Sequence, residues 1–238
     1  FDIGWEVNLN PTWRLLNALK EEHLSSEGQY TPKFIFTSSI AVFGGPYPDK
    51  IPDDFICAPQ TSYGAQKLIC ETMMSDFNRK GFIEGVSLRL PTICVRPGQA
   101  NQAASSFFSG IIREPLNGFE AILPVSDSVR HWHASPRAAI NFLLHAADLD
   151  FNKIGPRRSI NLPGVSCTIA EQIEALREVA GNEVVKRIKV KENKAISRIV
   201  SEWPQDFDAA RALKLGFTSE KSFLEIIKVY IDDDLGVI

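Results

Sequence analysis

Two spacings of apolar residues divide this chain into elements. Lys33-Phe-Ile-Phe-Thr-Ser-Ser39 runs three consecutive apolar residues straight into small hydroxyls, the pattern of a buried parallel strand that ends at a polar edge. Val86 to Leu90 predicts another strand, passing into an extended turn up to Gly98 in which Pro91 and Pro97 restrict the backbone. Arg158 to Leu162 predicts a short strand returning to the sheet. Helical spacing governs most of the remainder. Trp5, Leu9, Trp13 and Leu16 predict an amphipathic helix from about 4 to 20, bent at Pro11, which lacks an N–H. Ala65, Ile69, Met73 and Phe77 form one stripe of a helix over about 63–80, ended by Gly81 in the left-handed conformation. Leu68, Cys70 and Met74 widen that stripe past half the circumference, so this helix needs cover on two sides. Residues 135–149 predict a further helix. Thr168 and Glu171 form a capping box at the start of the next. Val184 to Lys191 alternates apolar and basic like an exposed strand, and 206–216 and 219–231 predict closing helices.

Composition narrows the class. A chain of 238 residues with 44% hydrophobic content can bury a sizeable core. The net charge of −3, with both signs interspersed, points to neither a nucleic-acid nor an anionic-membrane partner. Cys57, Cys70, Cys94 and Cys167 are scattered with no C-x-x-C, which argues for a reducing compartment and against a disulfide frame or zinc site. No apolar run approaches the roughly 18 residues of a membrane span, so a soluble cytoplasmic protein is expected. His131 and His133 flank Trp132 and could share a metal only on a strand, with no third ligand at convincing spacing. The expectation is no metal, with both histidines in a lobe at a pocket rim and His23 and His145 at the surface or packing between helices.

Candidate chemistry gathers at Tyr63-Gly-Ala-Gln-Lys67. Four residues apart on a helix, phenol and ammonium project from one face. A free phenol ionises near pH 10, and a neighbouring cation lowers that value by stabilising the phenolate. Ser38 and Ser39, at the carboxyl end of the preceding strand, stand where ligands of open α/β sheets gather. A serine there can bond a substrate oxygen and the phenol together.

A strand ending in Ser38-Ser39, the turn Ala41-Val42-Phe43-Gly44, a proline-rich loop from Pro46 to Pro59 and then Tyr-x-x-x-Lys resemble the extended short-chain dehydrogenase/reductases, the NAD-dependent epimerase/dehydratase family. The resemblance implies an α/β fold: a doubly wound, Rossmann-like parallel sheet with a small C-terminal substrate lobe. It implies a catalytic set of Tyr63, Lys67, Ser39 and Asn8, with Tyr63, Lys67, Ser38 and the backbone of Pro91, Thr92 and Ile93 along the nicotinamide. It also implies a homodimer through the helices 4–20 and 63–80. Further blocks, among them Arg89-Leu-Pro-Thr92, Val95-Arg-Pro-Gly98, Ala103-Ala-Ser-Ser-Phe107 and Asn161-Leu-Pro-Gly164, narrow the likeness to members oxidising four-carbon sugar acids. A carboxylate substrate calls for an arginine fork. Arg113 is the first choice, with Asn101, Ser105, Ser106 and Ser39 offered to the substrate's hydroxyls. Arg96 and Arg137 are rivals, and Arg157 and Arg158 read as solvated.

The expected division is 1–97 plus 133–165 as an incomplete cofactor domain and 98–132 plus 166–238 as the substrate lobe. No G-x-G-x-x-G turn for a pyrophosphate occurs in the sequence. The first strands of the fold, with the residue that separates NAD from NADP, are therefore missing from this chain, and a molecule about a third larger is expected. NAD is the expected cofactor, with NADP open. Two other readings stand beside a sugar-acid dehydrogenase. One is a nucleotide-sugar epimerase with the same Ser-Tyr-Lys set; a dehydratase is set aside, because Ile40-Ala41-Val42 follows Ser39 where an acidic pair is needed. The other is a cofactor-free binding protein on a reductase scaffold.

Overall fold

The computed structural model describes residues 1–99 and 103–235. In chain order come α1 (Asp2–Gly4), a π-helical turn (Trp5–Leu9), α2 (Asn10–Ser25), β1 (Lys33–Ser39), α3 (Ser62–Arg79), β2 (Glu84–Leu90), β3 (Thr92–Ile93) and α4 (Ser106–Leu116). There follow β4 (Ala121–Leu123), β5 (Arg130–Ala134), α5 (Pro136–Asp148), β6 (Ser159–Asn161), β7 (Val165–Thr168), α6 (Ile169–Ala180), α7 (Asn182–Val185), β8 (Ile188–Val190), α8 (Lys194–Ser201), α9 (Ala210–Lys214) and α10 (Phe223–Asp233). They form two units, Phe1–Leu90 with Asn141–Leu162 and Asp208–Phe217, and Pro91–Ile140 with Pro163–Phe207 and Thr218–Ile238. These bounds differ from the expected ones: 91–97 and 133–140 fall in the second unit, while 208–217 joins the first. There Arg211 pairs with Asp53 and donates to the carbonyls of Ser159 (3.0 Å) and Ile154 (2.9 Å).

In the first unit, β1, β2 and β6 make a parallel sheet in that order, with Ser39 level with Leu90. Alternation along β1 turns Phe34, Phe36 and Ser38 to one face. Phe34 and Phe36 pack with Leu9 and Leu16 of the N-terminal helix and with Cys70, Met74 and Phe77 of α3. The N-terminal helical stretch runs to Ser25, longer than expected, and Pro11 does not interrupt it. Proline stands in the first turn of α2, and the wider π turn before it, in which the Asn10 N–H bonds the Trp5 carbonyl, absorbs the disruption. The buried face of α3 also departs from the expected stripe. It carries Gly64, Gln66, Cys70, Glu71, Met74 and Phe77, while Ile69 is exposed. Two polar side chains turn inward: Glu71 to waiting donors, and Gln66 with its carbonyl oxygen on Asn8 and its amide nitrogen without a partner. At the far end Gly81 adopts φ +80°, and the Phe82 N–H reaches the Phe77 carbonyl at 3.1 Å, closing α3 as the sequence indicated.

In the second unit, β3, β5 and β7 form one sheet and β4 and β8 a parallel pair. Its core joins Phe107, Phe108, Ile111 and Ile112 of α4 to Leu176 of α6 and Phe223, Ile226, Ile227 and Tyr230 of α10. The capping box at the start of α6 forms in both directions between Thr168 and Glu171. The strand expected over 184–191 is shorter: α7 takes its start and only Ile188–Val190 pairs, with β4. The closing helices also shrink, to Ala210–Lys214 and Phe223–Asp233. No helix of the described residues is long and apolar enough to cross a membrane.

Candidate active site

Thr61 caps α3 by accepting from the Gly64 N–H at 3.0 Å, which starts the helix one residue before Tyr63. Gly64 then permits a close approach. A Cβ on it would lie 2.0 Å from the Ala41 carbonyl oxygen, so the first turn of α3 rests directly on the turn Ile40–Val42 that follows β1. This contact brings Tyr63 to the carboxyl end of the parallel sheet, beside Ser39. The Ser39 hydroxyl accepts from the Ala41 N–H at 3.2 Å and favours ionisation of the nearby Tyr63 phenol.

Tyr63 remains 45% exposed. Burial of the rest of the ring raises its phenol above the ordinary value, and the Ser39 side chain acts in the opposite sense. The ammonium of Lys67 sits 5.7 Å from the Tyr63 ring centroid and 4.8 Å from that of Phe36, and it donates to the Thr37 carbonyl at 2.7 Å. Burial pulls its own pKa down. The expected lowering of the phenol by Lys67 is thus not what this arrangement produces: the ammonium turns to a backbone carbonyl, and burial governs the phenol. Asn8 is held apart from both, its amide donating to Gln66 at 2.8 Å on the buried side of α3. It braces α3 from the π turn.

Two expected ligand contacts are corrected. Ser38 offers no hydroxyl to a cofactor, because it is buried and donates to Glu71 at 2.5 Å. Arg113 offers no fork to a carboxylate: 4% exposed, it donates to Glu114 at 2.5 Å and to the Arg96 carbonyl at 2.7 Å. Among its rivals, Arg137 pairs with Asp233 at 2.5 Å, whereas the Arg96 guanidinium makes no hydrogen bond or ion pair among the described residues. Asn101 lies outside the described residues. Ser105 stands half-buried at the start of α4, and its hydroxyl caps no N–H. Pro91 is buried and Thr92 and Ile93 are half-buried; Thr92 and Ile93 form an edge strand paired to β5, with the Thr92 hydroxyl on His131 Nε2 at 2.7 Å.

His131 and His133 lie on a strand after all, but in the core and not at a rim. His131 bonds the Pro204 carbonyl at 2.9 Å and stacks on Phe108, and burial lowers its pKa to about 4. His133 meets Gln172 at 3.0 Å and is lowered further. No group of three metal-binding side chains occurs among the described residues. His145 packs on Phe217 and bonds the Leu215 carbonyl at 2.8 Å, and His23 bonds the Tyr30 carbonyl.

Sequence reasoning passed over Glu71 and gave Arg89 and Asn161, noted only within matching blocks, no role. The signal was an arginine inside Val86-Ser-Leu-Arg-Leu90, a charge where a buried strand otherwise carries apolar residues. Arg89 is 6% exposed and donates to Glu71 at 2.8 and 3.0 Å, to Asn161 at 3.3 Å and to Cys57 at 3.2 Å, with its guanidinium 4.8 Å from the Phe43 ring centroid.

Ser39, Tyr63 and Lys67 thus gather at the carboxyl edge of a parallel sheet, where open α/β sheets bind their ligands. The sequence profile of the NAD dependent epimerase/dehydratase family matches residues 3–135, and the chain belongs to that family. The D-erythronate dehydrogenase of Cupriavidus necator is 48% identical over 233 residues, covering 98% of this chain and 70% of that protein. The D-erythronate dehydrogenase of Haemophilus influenzae is 40% identical over 236 residues, 98% of this chain and 72% of the relative. Among solved structures, a nucleoside-diphosphate-sugar epimerase from Agrobacterium tumefaciens superposes with a TM-score of 0.95 at 54% identity, over 99% of this chain and 68% of the other. The L-threonine 3-dehydrogenase of Trypanosoma brucei, at 19% identity, shares the fold with a TM-score of 0.82 over 97% of this chain and 69% of its own.

Proposed function

We propose that this chain serves the NAD-dependent oxidation of a secondary hydroxyl in a small, D-erythronate-like sugar acid. The observation that carries the reading is Tyr63 beside Ser39, with Lys67 one turn on, at the carboxyl edge of a parallel sheet in a chain 48% and 40% identical to two D-erythronate dehydrogenases. Bound nicotinamide would supply the hydride acceptor. The residues for its ribose end fit: Lys67 has three donors, of which the Thr37 carbonyl takes one. Ser39 orients the reacting oxygen. Tyr63, in its ionised form, takes the hydroxyl proton while the carbon gives up hydride; because burial raises the phenol, that form grows as pH rises. Of the arginines considered for a carboxylate, Arg96 is the one whose fork is uncommitted among the described residues. The homodimer through helices 4–20 and 63–80 belongs to this proposal, supported by exposed Trp13, Leu15 and Ile69 on those helices.

Oxidation of a panel of C4 to C6 aldonates, followed as NADH formed, tests the reading. Tyr63→Phe is expected to cost on the order of 10² to 10⁴ in turnover while NAD binding stays near normal; turnover retained by this variant overturns the assignment. A second reading, nucleotide-sugar epimerase, is favoured by the 54% identity to the Agrobacterium tumefaciens structure. It predicts epimerised nucleotide sugar with no net NADH.

A further inference from the structure

The buried charges of the first unit form one connected set. Glu71, 3% exposed, accepts from Ser38 and from Arg89. Arg89 continues to Asn161 on β6. Asn161 in turn holds the loop that leads into α3: its side chain donates to the Pro52 carbonyl at 3.3 Å and its N–H to Asp53 at 2.7 Å. Asp53 is then clamped by Arg211. Taking an ion pair out of water is costly, and replacement by apolar residues is often neutral or stabilising. Stability alone therefore gives a weak account of why charge occupies this place. Position gives a better one, because the pair sits one residue from Ser39 along β1 and one helical turn from Lys67 along α3.

We propose that the Glu71–Arg89 pair is the positioning device of the active site, holding Ser38 inward so that strand alternation presents the next hydroxyl, Ser39, to Tyr63. Glu71 and Arg89 touch no reacting atom; they act through Ser38 and the tip of β1. Without the pair, β1 can rotate about its end, Ser39 leaves the phenol, and the phenolate loses a donor that stabilises it. The proposal rests on the Ser39–Tyr63 reading above, and its test separates the two.

The protein is labelled with 3,5-difluorotyrosine, whose phenol ionises well below that of tyrosine, and the four tyrosines are titrated by fluorine NMR. Tyr63→Phe assigns the resonance. Ser39→Ala is expected to raise the Tyr63 midpoint by about half a pH unit, roughly a threefold change in ionisation constant. Glu71→Gln and Ser38→Ala are expected to raise it in the same direction, and Arg89→Lys, which keeps the charge, to restore most of the wild-type value. Should Glu71→Gln fail to fold, Ser38→Ala decides, since it removes one hydroxyl only. A wild-type midpoint in Glu71→Gln or Ser38→Ala, with Ser39→Ala shifted, overturns the proposal. A wild-type midpoint in Ser39→Ala itself overturns the reading beneath it and the proposal with it.

Discussion

Two regions, α3 in the first unit and β5 in the second, bury polar side chains by opposite means. Around α3 the first unit keeps charge and satisfies it, with Glu71 and Arg89 paired and hydrogen-bonded to Ser38 and Asn161. Around β5 the second unit keeps rings and forgoes their charge, His131 and His133 being stacked on and edged against Phe108. Directed charge-assisted bonds fix angles, because they weaken when donors turn. Close-packed rings chiefly fix volume. The hydroxyl proposed to meet a phenol needs angles, and the first unit carries it.

The contrast can be broken from either side. Arg89→Met leaves the Glu71 carboxylate buried without its partner, at an expected cost of about 3 to 5 kcal/mol, read as a lower denaturant midpoint. The double variant Glu71→Gln with Arg89→Met should recover much of that loss; no recovery would mean that the pair is not coupled.

Acid should attack the second unit selectively. The pKa of His131 is lowered by burial to about 4 from an ordinary 6.5, so its neutral form stabilises the fold. That contribution is complete above pH 6.5 and is lost as pH falls towards 4, on the order of 3 kcal/mol in all. His131→Gln should weaken this part of the stability profile, His133, also lowered by burial, carrying the rest, and an unchanged acid limb would refute the assignment.

Smaller effects sharpen the picture. Arg96→Met is expected to raise the Michaelis constant for a sugar acid about tenfold, the loss of one charge-assisted contact, with little effect on an uncharged polyol. Thr168→Ala removes the cap of α6 at a cost of about 1 kcal/mol, seen as a small drop in melting temperature with activity intact.

Much of this was legible before any coordinates. The strand ending in Ser38-Ser39, the helix opening at Ser62 and closed at Gly81, the capping box at Thr168 and the helix after Pro136 all follow from local pattern. What escaped depended on partners far away in sequence. Hydrophobicity placed Ile69 inside α3 and left Glu71 unremarked, because only Ser38 and Arg89, 33 and 18 residues distant, make that carboxylate buriable. Arg113 read as a substrate fork because nothing local reveals that the Arg96 carbonyl, 17 residues back, completes its coordination with Glu114. The histidines beside Trp132 read as rim residues because β5 is too short to show a period of its own.

By itself, then, the order of residues determined which segments become strand or helix, where they stop, and that a phenol, an ammonium and a hydroxyl share one region of the fold. Those choices are set by backbone sterics and by side chains within a turn of one another. Which polar groups turn inward, and hence which serine and which arginine remain available to a ligand, was decided only by tertiary structure. A charge is buried at tolerable cost only when its partner arrives from another element.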